Sequence, residues 1–248
     1  MKKIGIGIGE DIEKVISSVI NSGISSHVTL YCKPGTIGHK TGKFAIHTAS
    51  FPEQDLVKDL MDGTIRAAVR GTLPANTTLS ALKTAAGVDH LERIALLETA
   101  GGKKFLLAPV GVDEGWSVTE KIALVKKGKE IAEKFGLSTR VAILSGGRLG
   151  DVGRHSRVDQ SMADAELVAR LTGEIHYEIL IEDAISDAGV IIAPDGITGN
   201  LMFRTLTFLG AGYGHGAPVV NIDRIFVDTS RASPDYRNAI LLADSLSK

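Results

Sequence analysis

A single cysteine, Cys32, stands in this chain of 248 residues, and that scarcity excludes an internal disulfide and lacks the partners for a zinc site. The thiol is expected to be a buried strand residue rather than a catalytic one. Long hydrophobic runs are missing as well. None approaches the roughly 20 residues that a membrane helix requires. Met1-Lys-Lys leads straight into a glycine-punctuated strand instead of a signal peptide's apolar centre. No membrane contact is expected, and the cytoplasm is the expected compartment. An excess of charge is also absent: 28 Lys and Arg face 29 Asp and Glu, for a formal net charge of −1, so nothing global points to nucleic acid. His155, His176 and His215 lie on separate elements without i, i+4 spacing or a carboxylate set, so no metal is expected. No G-x-S-x-G elbow surrounds Ser25, Ser26, Ser145 or Ser230, which removes support for serine-hydrolase chemistry. Internal repeats and low-complexity segments are absent too.

What is present is the composition of an ordinary globular protein, 44% hydrophobic and 23% charged, with room for one large α/β domain or two small ones. Strand-like and helix-like segments alternate: strands at Lys3 to Ile8, Val28 to Cys32 and Arg66 to Val69, helices at Asp11 to Asn21, Glu53 to Met61 and Thr77 to Ala86. That alternation implies a parallel sheet with crossover helices. The rhythm then changes, because Arg93 to Glu98 and Lys104 to Val110 flank the turn Ala100-Gly-Gly-Lys103 and read as a hairpin. A second α/β run follows: a helix at Thr119 to Phe135, a strand at Arg140 to Leu144, a helix at Ser161 to Leu171, and a buried strand at Gly189 to Ala193. A domain boundary is placed near Leu91. The last strand, Arg224 to Val227, and a helix starting at Pro234 would return to the first domain. The expected domains are therefore 1–91 with 222–248, and 92–221, with a cleft between them suited to a ligand.

Two signals near the C-terminal end suggest a phosphorylated ligand. In Ala193-Pro-Asp-Gly-Ile-Thr-Gly-Asn200 a strand ends and Thr198-Gly199-Asn200 opens a helix whose free backbone N–H groups would face the carboxyl edge of the sheet. In Asp228-Thr-Ser-Arg-Ala-Ser-Pro-Asp235 a strand end delivers a hydroxyl, a guanidinium and a carboxylate, suited to a phosphate or acyl oxygen and to a proton transfer. Val69-Arg-Gly-Thr72 sets Arg70 at another strand end. It reads either as one wall of an anion site or as the entry to a capped helix. Ser145 to Arg157 is a glycine-rich, basic stretch holding Arg148, Arg154 and His155, a mobile ligand loop or simply solvated arginines. Gly5-Ile-Gly-Ile-Gly9 misses the dinucleotide spacing by one position and reads as close strand packing. Glu174 to Asp183 reads as a solvated amphipathic face.

The order of these segments resembles the phosphate acetyltransferase and phosphate butyryltransferase family, closest to the butyryl branch. The residues that carry the likeness are Arg70-Gly-Thr with Leu79-Ser-Ala-Leu82, Arg140-Val-Ala-Ile-Leu-Ser145, Thr198-Gly-Asn200, and Thr229-Ser-Arg-Ala232 with Asp235. The compact length and Gly153-Arg-His-Ser-Arg157 look most like a methanogen group labelled a methyltransferase-related subunit X. The resemblance implies an α/β fold of two α/β/α domains, as also in isocitrate dehydrogenases, usually dimeric. It implies an acyl phosphate, phosphate or coenzyme-A-like ligand in the cleft, with coenzyme A as a substrate and no covalently bound cofactor. By the same likeness Ser230 and Arg231 would neutralise phosphate and a developing oxyanion, and Asp235 would help deprotonate a thiol. Arg70, Thr72, Arg148, Arg154, Thr198, Gly199 and Asn200 would line the ligand. The first 60 residues match the family poorly, and Asp195-Gly-Ile197 departs from its usual approach to the Thr-Gly-Asn turn. The alternative is a methyltransferase-associated subunit whose site serves a partner protein or a methyl-carrying cofactor. A dehydrogenase on the same fold lacks both its dinucleotide loop and its metal-binding aspartates.

Overall fold

The computed structural model describes residues 3–38 and 42–248. Along the chain run β1 (Lys3–Gly7), α1 (Ile12–Asn21), β2 (Val28–Cys32), β3 (Ala45–Thr48), α2 (Pro52–Met61), β4 (Ile65–Val69) and α3 (Ala75–Ala86). Next come β5 (Ala95–Glu98), β6 (Lys104–Ala108), α4 (Val118–Lys134), β7 (Val141–Ile143), α5 (Ser156–Thr172), β8 (Ile175–His176), α6 (Ile181–Asp187), β9 (Val190–Ile192) and α7 (Gly196–Phe208). The chain closes with β10 (Tyr213–Gly214), β11 (Ala217–Pro218), β12 (Ile225–Asp228) and α8 (Arg237–Leu246). It divides into two compact units, Met1–Leu91 with His215–Lys248, and Glu92–Gly214. Both are α/β.

The first unit holds a sheet ordered β11-β12-β4-β1-β2-β3, parallel except for the short β11. From β1 the chain steps one way to β2 and β3, then crosses back to β4 and later to β12. Right-handed crossovers in opposite directions put α1 and α2 on opposite faces. Accordingly α1 packs with α8, and α2 with α3. Under α2 and α3 lies a core of Tyr31, Leu56, Leu60, Leu73, Leu82 and Phe226, all 1% exposed or less. Their apolar burial helps to hold this face.

The second unit is ordered β10-β5-β6-β9-β7-β8. The turn Ala100-Gly-Gly-Lys103 does close an antiparallel β5–β6 hairpin, with Thr99 N–H donating to Lys103 O at 2.9 Å. The strands β6, β9, β7 and β8 are parallel. Helix α4 starts at a reciprocal capping box: Ser117 Oγ accepts from Glu120 N–H, and Glu120 Oε2 accepts from Ser117 N–H.

Several boundaries differ from expectation. Helix α7 opens at Gly196, two residues before Thr198, because Asp195 caps it. Helix α5 begins at Ser156, five residues early, with His155 as its cap. Pro234 does not start the last helix: the Tyr236 amide is taken by Ser18 Oγ, and α8 begins at Arg237, whose N–H is capped by Asp235. Glu174 to Asp183 is not one amphipathic element but a short strand, a turn and the start of α6. Strand β3 has no counterpart in the sequence reading.

Candidate functional site

In the first unit the strand order reverses beside β1, so the chain leaves β1 and β4 toward opposite faces at the carboxyl edge of the sheet. Open α/β sheets hold ligands at such switch points. The loops after β1 and β4 interlock. Thr72, 1% exposed, accepts through Oγ1 from the amides of Gly9 at 3.0 Å and Glu10 at 3.2 Å, and donates to Glu10 O at 2.6 Å. The glycines permit the approach: a Cβ on Gly71, where φ is +61°, would lie 2.1 Å from Gly7 O. Arg70 is also an internal residue, its side chain 5% exposed. Its Nε pairs with Asp228 Oδ1 at 2.5 Å, Nη1 donates to Leu73 O at 2.8 Å, and Nη2 donates to Thr229 O. Arg70 and Thr72 thus join the ends of β4, β12 and β1.

The loop after β12 presents what these residues support. Ser230 is partly exposed, and its Oγ accepts from the Ala232 amide at 3.2 Å. The Arg231 side chain is 54% exposed and pairs with Glu10 Oε1 at 3.4 Å. Asp235 is exposed, with Oδ1 accepting from Arg237 N–H at 2.9 Å. A hydroxyl, a guanidinium and a carboxylate therefore sit on one loop at the carboxyl edge, next to the switch point.

The second unit places its residues differently. The amide of Gly196 donates to Glu114 O at 3.0 Å, that of Thr198 to Asp195 Oδ1 at 2.8 Å, and that of Gly199 to Asp195 O at 3.0 Å. The donors expected to be free at this helix start are spent within the protein. The Thr198 hydroxyl also donates to Asp195 Oδ1, and Asn200 Nδ2 donates to Val110 O at 2.9 Å. A Cβ would lie 1.6 Å from Gly111 O at Gly196 and 1.9 Å from Pro109 O at Gly199. Thr198-Gly-Asn200 therefore seats α7 against the loop after β6. Within that loop the Glu114 carboxylate is fully buried and accepts from Arg93 Nε at 2.5 Å and from the Arg93 and Gly111 amides. Burial pushes its carboxyl above the usual range, against the pull of the Arg93 charge.

The basic stretch after β7 is tied down at four backbone donors: Gly146 to Ser161 Oγ, Arg148 to Asp151 Oδ2, Leu149 to Glu178 Oε1 and Gly153 to Asp159 Oδ1. Arg148 and Arg154 are exposed, and Arg154 pairs with Asp151 at 2.8 Å. At its root is a chain that sequence reasoning missed. Ser145, 1% exposed, donates to Gly147 O at 2.9 Å and lies 2.8 Å from His176 Nε2, whose Nδ1 lies 3.3 Å from Glu166 Oε2. A nucleophile needs room for its electrophile, so this buried hydroxyl holds the turn instead. The parallel pairing of Ile143 with His176 brings the residues together, and no local motif announces it.

Among the described residues no group of three or more His, Cys, Asp or Glu could hold a metal, and no helix is long and apolar enough to cross a membrane. Cys32 is buried, and burial pushes its thiol up.

No family model matches the chain. Curated relatives from Methanosarcina carry the name "Putative methyltransferase mtx subunit X". The one from Methanosarcina barkeri is 48% identical over 201 residues, 79% of this chain and 74% of the relative. The one from Methanosarcina mazei is 42% identical, spanning 99% of this chain and 90% of the relative. Among solved structures, a branched-chain phosphotransacylase from Enterococcus faecalis superposes with a TM-score of 0.73 at 18% identity, covering 100% of this chain and 99% of its own. A phosphotransacetylase from Staphylococcus aureus gives 0.67 at 14% identity, over 100% and 94%. The fold is that of the phosphotransacylases.

Proposed function

This chain belongs to the mtx subunit X family, and on that premise we propose that it is a transferase-like protein that binds a phosphate-bearing ligand, an acyl phosphate or a coenzyme-A-like molecule, at the loop after β12. The observation that carries the reading is the exposed Arg231 guanidinium next to Ser230 at the carboxyl edge of the first sheet, on a phosphotransacylase fold. In acyl transfer Arg231 and Ser230 would neutralise the phosphoryl and carbonyl oxygens. Asp235 would take the thiol proton; the sulfur would then bond to the acyl carbon as the carbon–oxygen bond to phosphate breaks and phosphate departs. Arg70 and Thr72 would act by building the loops, and Thr198, Gly199 and Asn200 by seating α7.

A second reading comes from the relatives' name: a subunit that works with a methyltransferase partner. Thermal-shift and turnover measurements with coenzyme A plus acetyl or butyryl phosphate separate the two. Ligand at about 100 times its dissociation constant should add about 2.7 kcal/mol of stability. Stabilisation with turnover supports an acyltransferase, and stabilisation alone a retained site with altered chemistry. Neither effect turns the choice to the partner-bound subunit, for which a native pull-down should then recover a methyltransferase component.

A further inference from the structure

Helix α1 grips the loop after β12 from one side. On its first turn Lys14 donates from Nζ to the carbonyl of Arg231 at 2.9 Å, across 217 positions of sequence. The same ammonium pairs with Asp11 at 3.0 Å and lies 5.3 Å from the centroid of the Tyr236 ring. Tyr236, 1% exposed, donates from its hydroxyl to the carbonyl of Ser230 at 3.3 Å. Its amide donates to Ser18 Oγ at 2.9 Å, and that hydroxyl donates to Lys14 O at 2.7 Å. Two consecutive carbonyls, those of Ser230 and Arg231, are thus each held by a side-chain donor. Both donors are tied back to one face of α1.

A loop residue whose carbonyl and whose neighbour's carbonyl are both fixed has little backbone freedom left, so the direction in which its side chain leaves the loop is fixed too. Binding then costs less ordering. The Arg231 guanidinium, more than half exposed, is the side chain whose direction is at stake.

We propose that Lys14 is a positioning residue: with Tyr236 it clasps the Ser230–Arg231 turn so that the arginine and the serine hydroxyl are presented together to a phosphate-bearing ligand. The inference rests on the reading of this loop as a phosphate site. Partial burial pulls the Lys14 pKa down, but its hydrogen bond and ion pair with Asp11 and its contact with Tyr236 outweigh that and hold it above the ordinary value. The clasp is therefore a charged donor, which a neutral side chain cannot replace.

The test compares wild type, Lys14→Met, Lys14→Arg and Tyr236→Phe by hydrogen exchange in the ligand-free protein and by calorimetric titration with inorganic phosphate. Lys14→Met should speed exchange at the Ala232, Ser233 and Tyr236 amides while protection elsewhere stays as it was. It should also weaken phosphate binding by up to about tenfold. Lys14→Arg should restore most of both, and Tyr236→Phe should reproduce a smaller part. Unchanged exchange at those amides in Lys14→Met overturns the clasp, whatever happens to phosphate. Exchange that rises throughout the first unit overturns it as well, since it marks a stability residue. Should the wild type itself fail to bind phosphate, the proposed function falls and with it the purpose assigned to Lys14. The exchange data then still report separately on whether the clasp exists.

Discussion

At the carboxyl edge of the first sheet the motif residues divide between those that build the loops, Arg70 and Thr72, and those that the loops present, Ser230 and Arg231. At the second sheet Thr198, Gly199 and Asn200 all build, and the exposed cations come instead from residues 146–157. The difference teaches that residue type at a strand end does not say whether a donor is available. Arg70 and Arg231 have the same chemistry and follow adjacent strands of one sheet, yet one is 5% exposed and the other 54%. What separates them is where the chain supplies acceptors: Asp228 and two carbonyls surround the first, and Glu10 approaches the second.

The sharpest break in this comparison is Arg70→Ala. It withdraws the guanidinium shared by Asp228, Leu73 O and Thr229 O from a buried site, and the expected loss is about 3–5 kcal/mol of unfolding free energy. Guanidinium-chloride unfolding measures it. A loss below about 1 kcal/mol would place Arg70 among the surface pairs and undo the division between builders and presenters.

Next in size is Gly199→Ala. Its Cβ would sit 1.9 Å from a backbone oxygen, Pro109 O, which no rotamer change relieves. Overpacking of this kind costs about 1–3 kcal/mol. Thermal denaturation should show it, and an unchanged midpoint would mean that α7 is not seated on the loop after β6.

A smaller effect tests the cap. Asp195→Ala removes the acceptor for the Thr198 amide and hydroxyl and should cost about 1 kcal/mol. Asp195→Asn keeps an acceptor and loses mainly the charge at the helix N-terminus, worth about 0.3–1 kcal/mol. Equal losses in the two variants would show that the charge, not the cap geometry, is what α7 uses.

These same residues show how far the sequence could be read. Strand β2 falls on Val28–Cys32 as expected and the β5–β6 hairpin follows its glycine turn, because both signals are local. The two-layer rhythm of strand and helix was legible for the same reason. Strand β3 was not: it follows β2 without an intervening helix, and none of its residues is fully buried, so the sequence pattern is weak. Asp195 carries a readable signal, an acidic residue three positions before the Thr198 amide that it caps. Asp228 lies 158 residues from Arg70 and His176 lies 31 from Ser145, and no spacing rule reaches them. The sequence exposes which groups are chemically able, and the fold decides which are already spent.

Arg231→Ala should move stability least of all. The side chain is exposed, and its pairing with Glu10 at 3.4 Å is of the kind that contributes between about 0 and 1 kcal/mol. Its carbonyl, which accepts from Lys14, remains in the variant. The substitution therefore separates presentation from construction, since the loop keeps its clasp and loses only the guanidinium. Phosphate or acyl-phosphate binding should disappear while the unfolding midpoint stays within a degree or two of wild type. Binding that survives intact would move the anion site to the arginines after β7, and the double variant Arg148→Ala with Arg154→Ala would then be the one to abolish it. Loss of both binding and fold would instead make Arg231 a second Arg70, and the contrast between the two arginines would collapse.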